Sequence, residues 1–367
     1  MEPRPARCER ASPDGASGCG SSPLRRLERM FYALGVEREG LFELRRRTFD
    51  TPEFRGITFI EAEAKTIINH VPGSYLPFNY TINPYRGCSH ACTYCFARVT
   101  HTYLDMDAGR DFESKIVVKV NAPEVLRRQL GAKRWKGEHI AMGTATDPYQ
   151  RAEGRYRLMR GIVRALIDYR NPFSILTKGT LILRDLDLLL EAASVGPVST
   201  AVSIGTIDEE AWRLSEPGTP HPHRRLEVVA RLNEAGIPCG VMVAPILPGI
   251  TDRPEQLRGV VEAAIASGAT HVSPILLHLR PGVKEEYMAW LEEHFPDLLP
   301  MYRGMYAGRA YAAKDHQRAA TSTVSDLVAR AGGLQPRPEV AERFTRGQRW
   351  RPRRGEDGAG SEQLTLL

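Results

Sequence analysis

Three closely spaced cysteines lie in the stretch 83–95, which reads NPYRGCSHACTYC. They are Cys88, Cys92 and Cys95, in a C-x3-C-x2-C spacing, and the next cysteine along the chain is Cys239. Three thiolates on one short loop can bind three irons of a cubane iron–sulfur cluster and leave the fourth iron open. An open position can bind and activate a small molecule, whereas an electron-carrying cluster normally has a fourth cysteine nearby. The spacing therefore predicts a catalytic cluster.

Zinc is the main alternative ligand for the same thiols. The three cysteines together with His90 or His101 would make a Cys3His set. Structural zinc sites usually pair two C-x2-C-like halves, however, and the sequence has no second half. A disulfide is less favoured still, because three cysteines within eight residues leave one thiol unpaired.

The bulk composition is that of a globular protein. The chain has 367 residues, of which 42% are hydrophobic and 26% charged, so it can bury a large core in one or two domains. No apolar run has the length of a membrane span, and the first residues lack the apolar segment of a signal peptide. The sparse cysteines argue against a secreted disulfide scaffold. We therefore expect a cytoplasmic protein without a membrane partner.

The ends of the chain differ in composition from its middle. Residues 1–70 are predicted to be an N-terminal extension that is disordered at its start, with a helix around Leu24–Leu34. Residues 71–300 are predicted to be the core domain, and 301–335 a helical segment. Residues 336–367 are rich in Arg and Gly, and we expect a basic disordered tail there.

The basic tail is a candidate contact for nucleic acid. Basic residues interleaved with aromatic ones can bind a phosphate backbone and stack on bases. The alternative is a solvated tail without a ligand, which its composition favours. The basic and aromatic residues concerned are Arg343, Phe344, Arg346, Arg349, Trp350, Arg351, Arg353 and Arg354.

Six short apolar runs alternate with helical patterns between the two ends. Strict alternation of strands and helices predicts a parallel sheet, and six units are too few for a closed eight-stranded barrel. The spacing alone does not separate a partial barrel from a doubly wound open sheet. The six predicted strands are 79–83, 139–146, 173–177, 198–205, 238–247 and 271–279.

Ligands in parallel α/β folds bind at the carboxyl ends of the strands. In this chain the segments that follow the predicted strands are polar and glycine-rich, while the strands themselves are apolar. We therefore expect the site on this face. The segments after the first are 143–150, 177–179, 203–206, 245–252 and 278–281.

Four segments resemble the spore photoproduct lyase-like, or photolyase-related, branch of the radical S-adenosylmethionine (SAM) superfamily. They are NPYRGC at 83–88, TDPYQ at 146–150, TK at 177–178 and APILPG at 244–249. The resemblance covers about residues 70–300. It implies an α/β fold, a partial (β/α)6 TIM-like barrel with parallel strands and flexible N- and C-terminal extensions. It also implies an enzyme that uses a 4Fe-4S cluster to cleave SAM reductively into a 5′-deoxyadenosyl radical.

The resemblance also implies roles near the cluster. Cys88, Cys92 and Cys95 would bind iron, and Tyr94 would lie beside the adenine of SAM. Many members hold the amino group of SAM with a Gly-Gly-Glu segment after the second strand. This chain has GTATD there, at 143–147, which makes Gly143, Thr146 and Asp147 the candidates.

Further cofactor contacts are implied after the later strands. Lys178 would pair with the carboxylate of SAM, although a lysine at a helix start is the plain alternative. Ser203 would bond the ribose, with packing inside the barrel as its alternative. Pro245 would shape a loop near the adenine, although Pro/Gly turns are common.

Radical repair chemistry would need a group that returns a hydrogen atom. Tyr149, in the loop after the second strand, is our candidate catalytic donor, with packing as the alternative. Cys239 is less suitable, because it begins its predicted strand and so lies at the opposite end. His278 and Arg280 are candidates for substrate contact or ordinary solvated loop residues.

These observations support three functional hypotheses. The first is a radical SAM enzyme that acts on nucleic acid, such as a lesion lyase. The second is the same chemistry on a peptide, protein or small molecule, and the third is a zinc-stabilised nucleic-acid-binding protein without catalysis. Either enzyme would need a reductant of the flavodoxin or ferredoxin type as a partner.

Overall fold

The structure, a computed structural model, describes residues 45–71 and 76–349. The helix predicted around Leu24–Leu34 and residues 350–367 lie outside this part of the chain. The strands within it are β1 (Arg45–Thr48), β2 (Thr58–Ala62), β3 (Ile68–His70), β4 (Tyr80–Ile82), β5 (Tyr85–Arg86), β6 (Lys115–Lys119), β7 (Ile140–Met142), β8 (Phe173–Thr177), β9 (Val198–Ser203), β10 (Cys239–Ile246) and β11 (Val272–Leu276).

The main sheet has seven strands in the order β11-β10-β9-β8-β7-β4-β3. The six strands from β4 to β11 in this order pair in parallel, and β3 adds an antiparallel edge beside β4. All six predicted strands are present, and β8 has the bounds that were predicted. The sheet keeps two edges, β3 and β11, so the prediction of an open, partial (β/α)6 barrel is confirmed.

Helices follow the parallel strands and cover the sheet because each carries one apolar stripe. In the helix Leu158–Asp168, for example, the residues Leu158, Ile162 and Leu166 recur at helical spacing and are buried. The other helical segments described are Pro52–Phe54, Phe96–Leu104, Arg110–Ser114, Ala122–Leu130, Arg151–Tyr156, Thr180–Asp185, Leu186–Val195, Glu209–Ser215, Pro222–Glu234, Pro254–Ala266, Val283–His294, Pro296–Leu298, Leu299–Met305, Lys314–Arg330 and Pro338–Arg349. None of the helices in these ranges has the length and apolar character that crossing a membrane requires.

A second, four-stranded sheet, which the sequence analysis did not predict, has the order β1-β2-β6-β5. Strand β1 is exposed along its whole length, and β5 has only two residues, so neither shows a periodic apolar pattern. Strand β5 pairs with β6 and leads directly into the cysteine loop. The small sheet therefore fixes the point from which that loop starts.

The C-terminal region differs from the predicted disordered tail. Residues Pro338–Arg349 form a helix, and its Arg343 donates a hydrogen bond to the carbonyl of Gly236. The ring of Phe344 stacks on His271, with centroids 5.1 Å apart and planes at 11°. Gly236 and His271 precede β10 and β11, so these contacts lie at the amino ends of the strands. Arg343 and Phe344 therefore contribute to the fold at the end opposite the cysteine loop.

Replacing Phe344 by Ala should lower the free energy of unfolding by about 1–2 kcal/mol, because it removes a half-buried ring that stacks on His271. Urea unfolding followed by circular dichroism measures the change. Thr345→Ala is the matched control, since Thr345 is exposed on the same helix. Equal stabilities for the two variants would show that the helix does not support the barrel.

Candidate active site

The cysteine loop begins at a glycine whose conformation no other residue adopts easily. Gly87 has φ of +85°, and a Cβ there would lie 2.8 Å from the carbonyl oxygen of Phe112 and 2.9 Å from the His101 ring. The amide of Cys88 donates to that same Phe112 oxygen at 2.9 Å. The turn therefore requires glycine both for its backbone angle and for the space around it.

Arg98 holds the loop from inside. Its side chain is 6% exposed, and the guanidinium donates to the carbonyls of Cys92 at 3.0 Å, Ala91 at 3.2 Å and Gly109 at 2.8 Å. It also pairs with Glu113 at 3.0 Å. One buried cation thus satisfies several loop carbonyls that have no partner in a helix or sheet.

The three thiols differ from an ordinary exposed cysteine in their surroundings. Cys88 and Cys92 are buried and Cys95 is half-buried. Burial raises the pKa of all three and brings that of Cys92 to about 12. Cysteines that bind a metal ion do so as thiolates, so these thiols would have to lose their protons to act as ligands. Cys239 is buried at the start of β10, which places it at the opposite end, as expected.

Each histidine of the Cys3His alternative has one ring nitrogen in contact with another part of the protein. His90 Nδ1 lies 3.3 Å from the carboxylate of Asp147, and His101 Nε2 lies 2.9 Å from the carbonyl of Lys115. Over residues 45–71 and 76–349, no three His, Cys, Asp or Glu side chains are grouped as a single metal ion requires. Each of these contacts engages one nitrogen of the imidazole ring, and among the described residues His101 Nδ1 is buried without a hydrogen-bond partner.

The loop after β7 contacts the cysteine loop directly. Thr146 Oγ1 and Gln150 Nε2 both donate to the carbonyl of Gly87, at 2.7 and 2.9 Å. Gln150 Oε1 accepts in turn from the amide of Ser89 at 3.0 Å. The hydroxyl of Thr146, a predicted cofactor contact, is thus bonded to the protein, and Gln150 is a loop-positioning residue that the sequence analysis did not identify.

Asp147 joins three segments of the carboxyl face. Its carboxylate accepts from Thr177 Oγ1 at 2.6 Å, from the Lys178 amide at 2.6 Å and from the Tyr149 amide at 2.8 Å. Burial acts to raise the pKa of Asp147, but His90 and these hydrogen bonds hold it below its ordinary value. A buried carboxylate therefore fixes the cysteine loop against the ends of β7 and β8.

Gly143, in the same loop, lies where the surrounding backbone leaves no space for a side chain. Its φ is +93°, and an added Cβ would lie 1.9 Å from the carbonyl oxygen of Leu176. The chain after β7 passes so close to β8 that a side chain is excluded.

A buried ionic network lies beside the cysteines. Lys178 Nζ donates to Ser203 Oγ at 2.6 Å and lies 3.0 Å from Glu216 Oε1. Glu216 also accepts a hydrogen bond from the hydroxyl of Tyr94 and pairs with Arg225 at 2.6 Å. Three predicted cofactor contacts, Tyr94, Lys178 and Ser203, are therefore linked by two residues that the sequence analysis missed.

Glu216 and Arg225 are charged although they are almost inaccessible. Their side chains are 4% and 1% exposed. Burial acts to raise the pKa of Glu216, but Arg225 and Lys178 lower it to about 2. Arg225 was recognisable in principle, because it lies in the apolar stripe of its helix between Pro222 and Val229. No local pattern distinguishes Glu216.

Pro245 lies where β9 and β10 end. The Ala244–Pro245 peptide is cis, and Ser203 Oγ donates to the Ala244 carbonyl at 2.7 Å. A Cβ on Gly205 would lie 2.8 Å from the Pro245 carbonyl. The backbone around Pro245 is thus packed closely beside Ser203.

Tyr149 is placed differently from the other predicted site residues. Its side chain is 1% exposed, and its hydroxyl donates to Asp185 Oδ2 at 3.0 Å. Asp185 also pairs with Arg160 of the helix Leu158–Asp168, so the hydroxyl lies among the outer helices. This position supports the packing alternative for Tyr149.

A family model described as the radical SAM superfamily matches residues 82–260. The chain belongs to the radical SAM superfamily. It is therefore a radical SAM enzyme with a 4Fe-4S cluster and SAM as cofactors, and such enzymes need an external reductant. The residues fit these groups, because three thiols share one loop and polar groups surround them on the carboxyl face.

Relatives and solved structures extend the similarity of this radical SAM enzyme beyond the matched core. An uncharacterized protein of Mycobacterium tuberculosis is 46% identical over 312 residues, 84% of this chain and 91% of that protein. The radical SAM Nalpha-GlyT isomerase of Pseudomonas phage M6 is 26% identical over 191 residues, 52% of this chain and 37% of that protein. A spore photoproduct lyase variant solved with AdoMet and dinucleoside spore photoproduct has the same fold, at a TM-score of 0.59 and 16% identity over 84% of this chain and 92% of that one.

Glu216→Ala should lower the free energy of unfolding by about 3–5 kcal/mol, because Arg225 would remain buried without its counter-charge. Chemical denaturation measures the loss. Glu209→Ala breaks the exposed pair with Arg213 and serves as the control, with an expected cost below about 1 kcal/mol. A loss of similar size in both variants would contradict the buried-network interpretation.

A second buried carboxylate predicts a pH dependence of stability. The hydroxyl of Tyr85 donates to Glu153, whose other oxygen accepts from the Met159 amide at 3.1 Å. Burial raises the pKa of Glu153 to about 7. Its contribution to stability is therefore complete below its unfolded pKa of about 4.5 and is lost as the pH rises through about 7.

Glu153→Gln should remove this dependence, so that the variant gains stability relative to the parent between pH 5 and 8. Urea unfolding at both pH values tests the expectation. Glu124→Gln, an exposed position, should leave the parent's pH profile unchanged. Parallel pH profiles for the parent and Glu153→Gln would refute the assignment.

Proposed function

We propose that this radical SAM enzyme acts on a nucleic acid. The observation that carries the proposal is the extent of the fold similarity to spore photoproduct lyase. The match covers 84% of the chain, whereas the family model spans only residues 82–260, so the likeness includes elements outside the shared core. That neighbour was solved with a dinucleoside photoproduct, and the net charge of +6 here suits a polyanionic substrate.

The cofactor roles of individual residues are part of the proposal. Cys88, Cys92 and Cys95 bind the cluster, which together with SAM supplies a 5′-deoxyadenosyl radical. Lys178 pairs with the carboxylate of SAM while Glu216 keeps its ammonium on the carboxyl face, which is a positioning role.

The remaining polar groups complete the cofactor site. Ser203 contacts the ribose, and Tyr94 and Pro245 flank the adenine. Asp147 and Thr146 act by holding the cysteine loop beside the amino group of SAM, since both side chains are bonded to the protein. Gly143 keeps the chain close to β8.

The basic tail has a narrower part in the proposal. Arg343 and Phe344 contact the amino end of the barrel. These two residues are therefore not part of any contact that we propose between the tail and nucleic acid. We infer that the carboxyl face provides the main contact. A flavodoxin- or ferredoxin-like protein is the proposed electron donor.

The test is anaerobic reconstitution with iron and sulfide, followed by dithionite and SAM, with 5′-deoxyadenosine measured by chromatography. The parent should form it, and the variants Cys88→Ala, Cys92→Ala and Cys95→Ala should not. Ultraviolet-irradiated and untreated DNA, total RNA and a peptide digest are then added separately. We expect faster 5′-deoxyadenosine formation with nucleic acid, and altered nucleosides after digestion and mass spectrometry. Stimulation by peptides alone would overturn the substrate assignment.

A further inference from the structure

Three aromatic rings form a continuous row beside the cysteine loop. We call Phe96, His278 and Tyr311 the aromatic row. The centroids of Phe96 and His278 are 5.5 Å apart, and those of His278 and Tyr311 are 5.1 Å apart with planes at 19°. His278 lies in the middle and is half-buried, while Phe96 is 37% and Tyr311 48% exposed. Both ends of the row therefore present aromatic surface to solvent.

The row is held rigidly on the carboxyl face. Phe96 directly follows the cluster ligand Cys95, and His278 follows β11, the last parallel strand. His278 and Tyr311 form a β-bridge, and the Leu279 amide donates to the Ala310 carbonyl at 2.7 Å. Rings fixed by backbone pairing lose little conformational entropy when a ligand stacks on them.

Positive charge flanks the row. The guanidinium of Arg280 lies over the Phe96 ring, 5.7 Å from its centroid. Arg309 is exposed two residues before Tyr311, and its side chain contacts the Ala307 carbonyl at 3.5 Å. Among the described residues, neither arginine has an ion pair with an acidic side chain. Burial lowers the pKa of His278 to about 4, so the middle ring is neutral near pH 7.

Resting on the proposed function, we propose that the aromatic row is a stacking site for a base of an unpaired nucleic-acid strand, with Arg280 and Arg309 contacting its phosphates. Aromatic rings flanked by cations form the kind of surface that single strands bind, because every base has a flat face and every linkage a negative charge. The position next to Cys95 would bring the stacked nucleotide, or its neighbour, to the cluster side of the barrel.

The test uses full-length reconstituted protein with SAM. Its binding to a labelled oligothymidine strand and to a labelled abasic strand of the same length is measured by fluorescence anisotropy. The parent should bind oligothymidine more tightly than the abasic strand. Tyr311→Ala should weaken oligothymidine binding about tenfold and leave abasic binding unchanged, since one stacked base is lost. Tyr311→Phe should bind like the parent, and Tyr103→Ala is the control, because Tyr103 is 61% exposed outside the row.

Arg280→Ala should instead weaken the binding of both strands. It should also reduce the salt dependence of binding by about one phosphate contact. If the parent binds oligothymidine and Tyr311→Ala binds it equally well, the stacking site is refuted while the proposed function stands. If the parent binds neither strand and forms altered nucleosides from no nucleic acid, both proposals fail. If an aromatic peptide binds in a Tyr311-dependent manner and oligothymidine does not, the row is assigned to a protein substrate. That outcome would overturn the assignment of the row to a nucleobase.

Discussion

The carboxyl face is organised around one buried carboxylate, that of Glu216. It binds Lys178 after β8, Arg225 on the helix Pro222–Glu234, and Tyr94 in the cysteine loop. A charge removed from water must be compensated by close partners, and here two cations and a hydroxyl do so. The positions of these side chains are therefore interdependent, and contacts within the protein fix the arrangement of the candidate SAM site.

A second carboxylate, Asp147, performs a comparable task on the other side of the cysteines. It connects His90 of the loop to the ends of β7 and β8, while Gln150 bonds the backbone on both sides of Cys88. The cysteine loop has little regular structure of its own. It is held by side chains from neighbouring units of the barrel, so its geometry depends on the correct register of the parallel strands.

The two ends of the barrel have different roles. Phe344 and Arg343 close the amino end, where basic and aromatic residues serve packing and hydrogen bonding. The row of Phe96, His278 and Tyr311 lies at the carboxyl end, where similar residue types face solvent. Basic and aromatic residues occur at both ends of the barrel. Only their location in the fold distinguishes a structural contact from a candidate binding surface.

The sequence by itself determined the cysteine motif and the six alternating units, and it predicted the face on which we expect the site. These signals are local, because cysteine spacing and apolar runs depend on neighbouring positions. The small sheet, the helix Pro338–Arg349 and the roles of Glu216 and Arg225 were decided only by the tertiary structure. Short exposed strands bury too little apolar surface to leave a pattern, and a buried ion pair joins residues whose partners lie on different elements. Tyr149 shows the same limit, because only the packed fold directs its hydroxyl toward Asp185 and the outer helices.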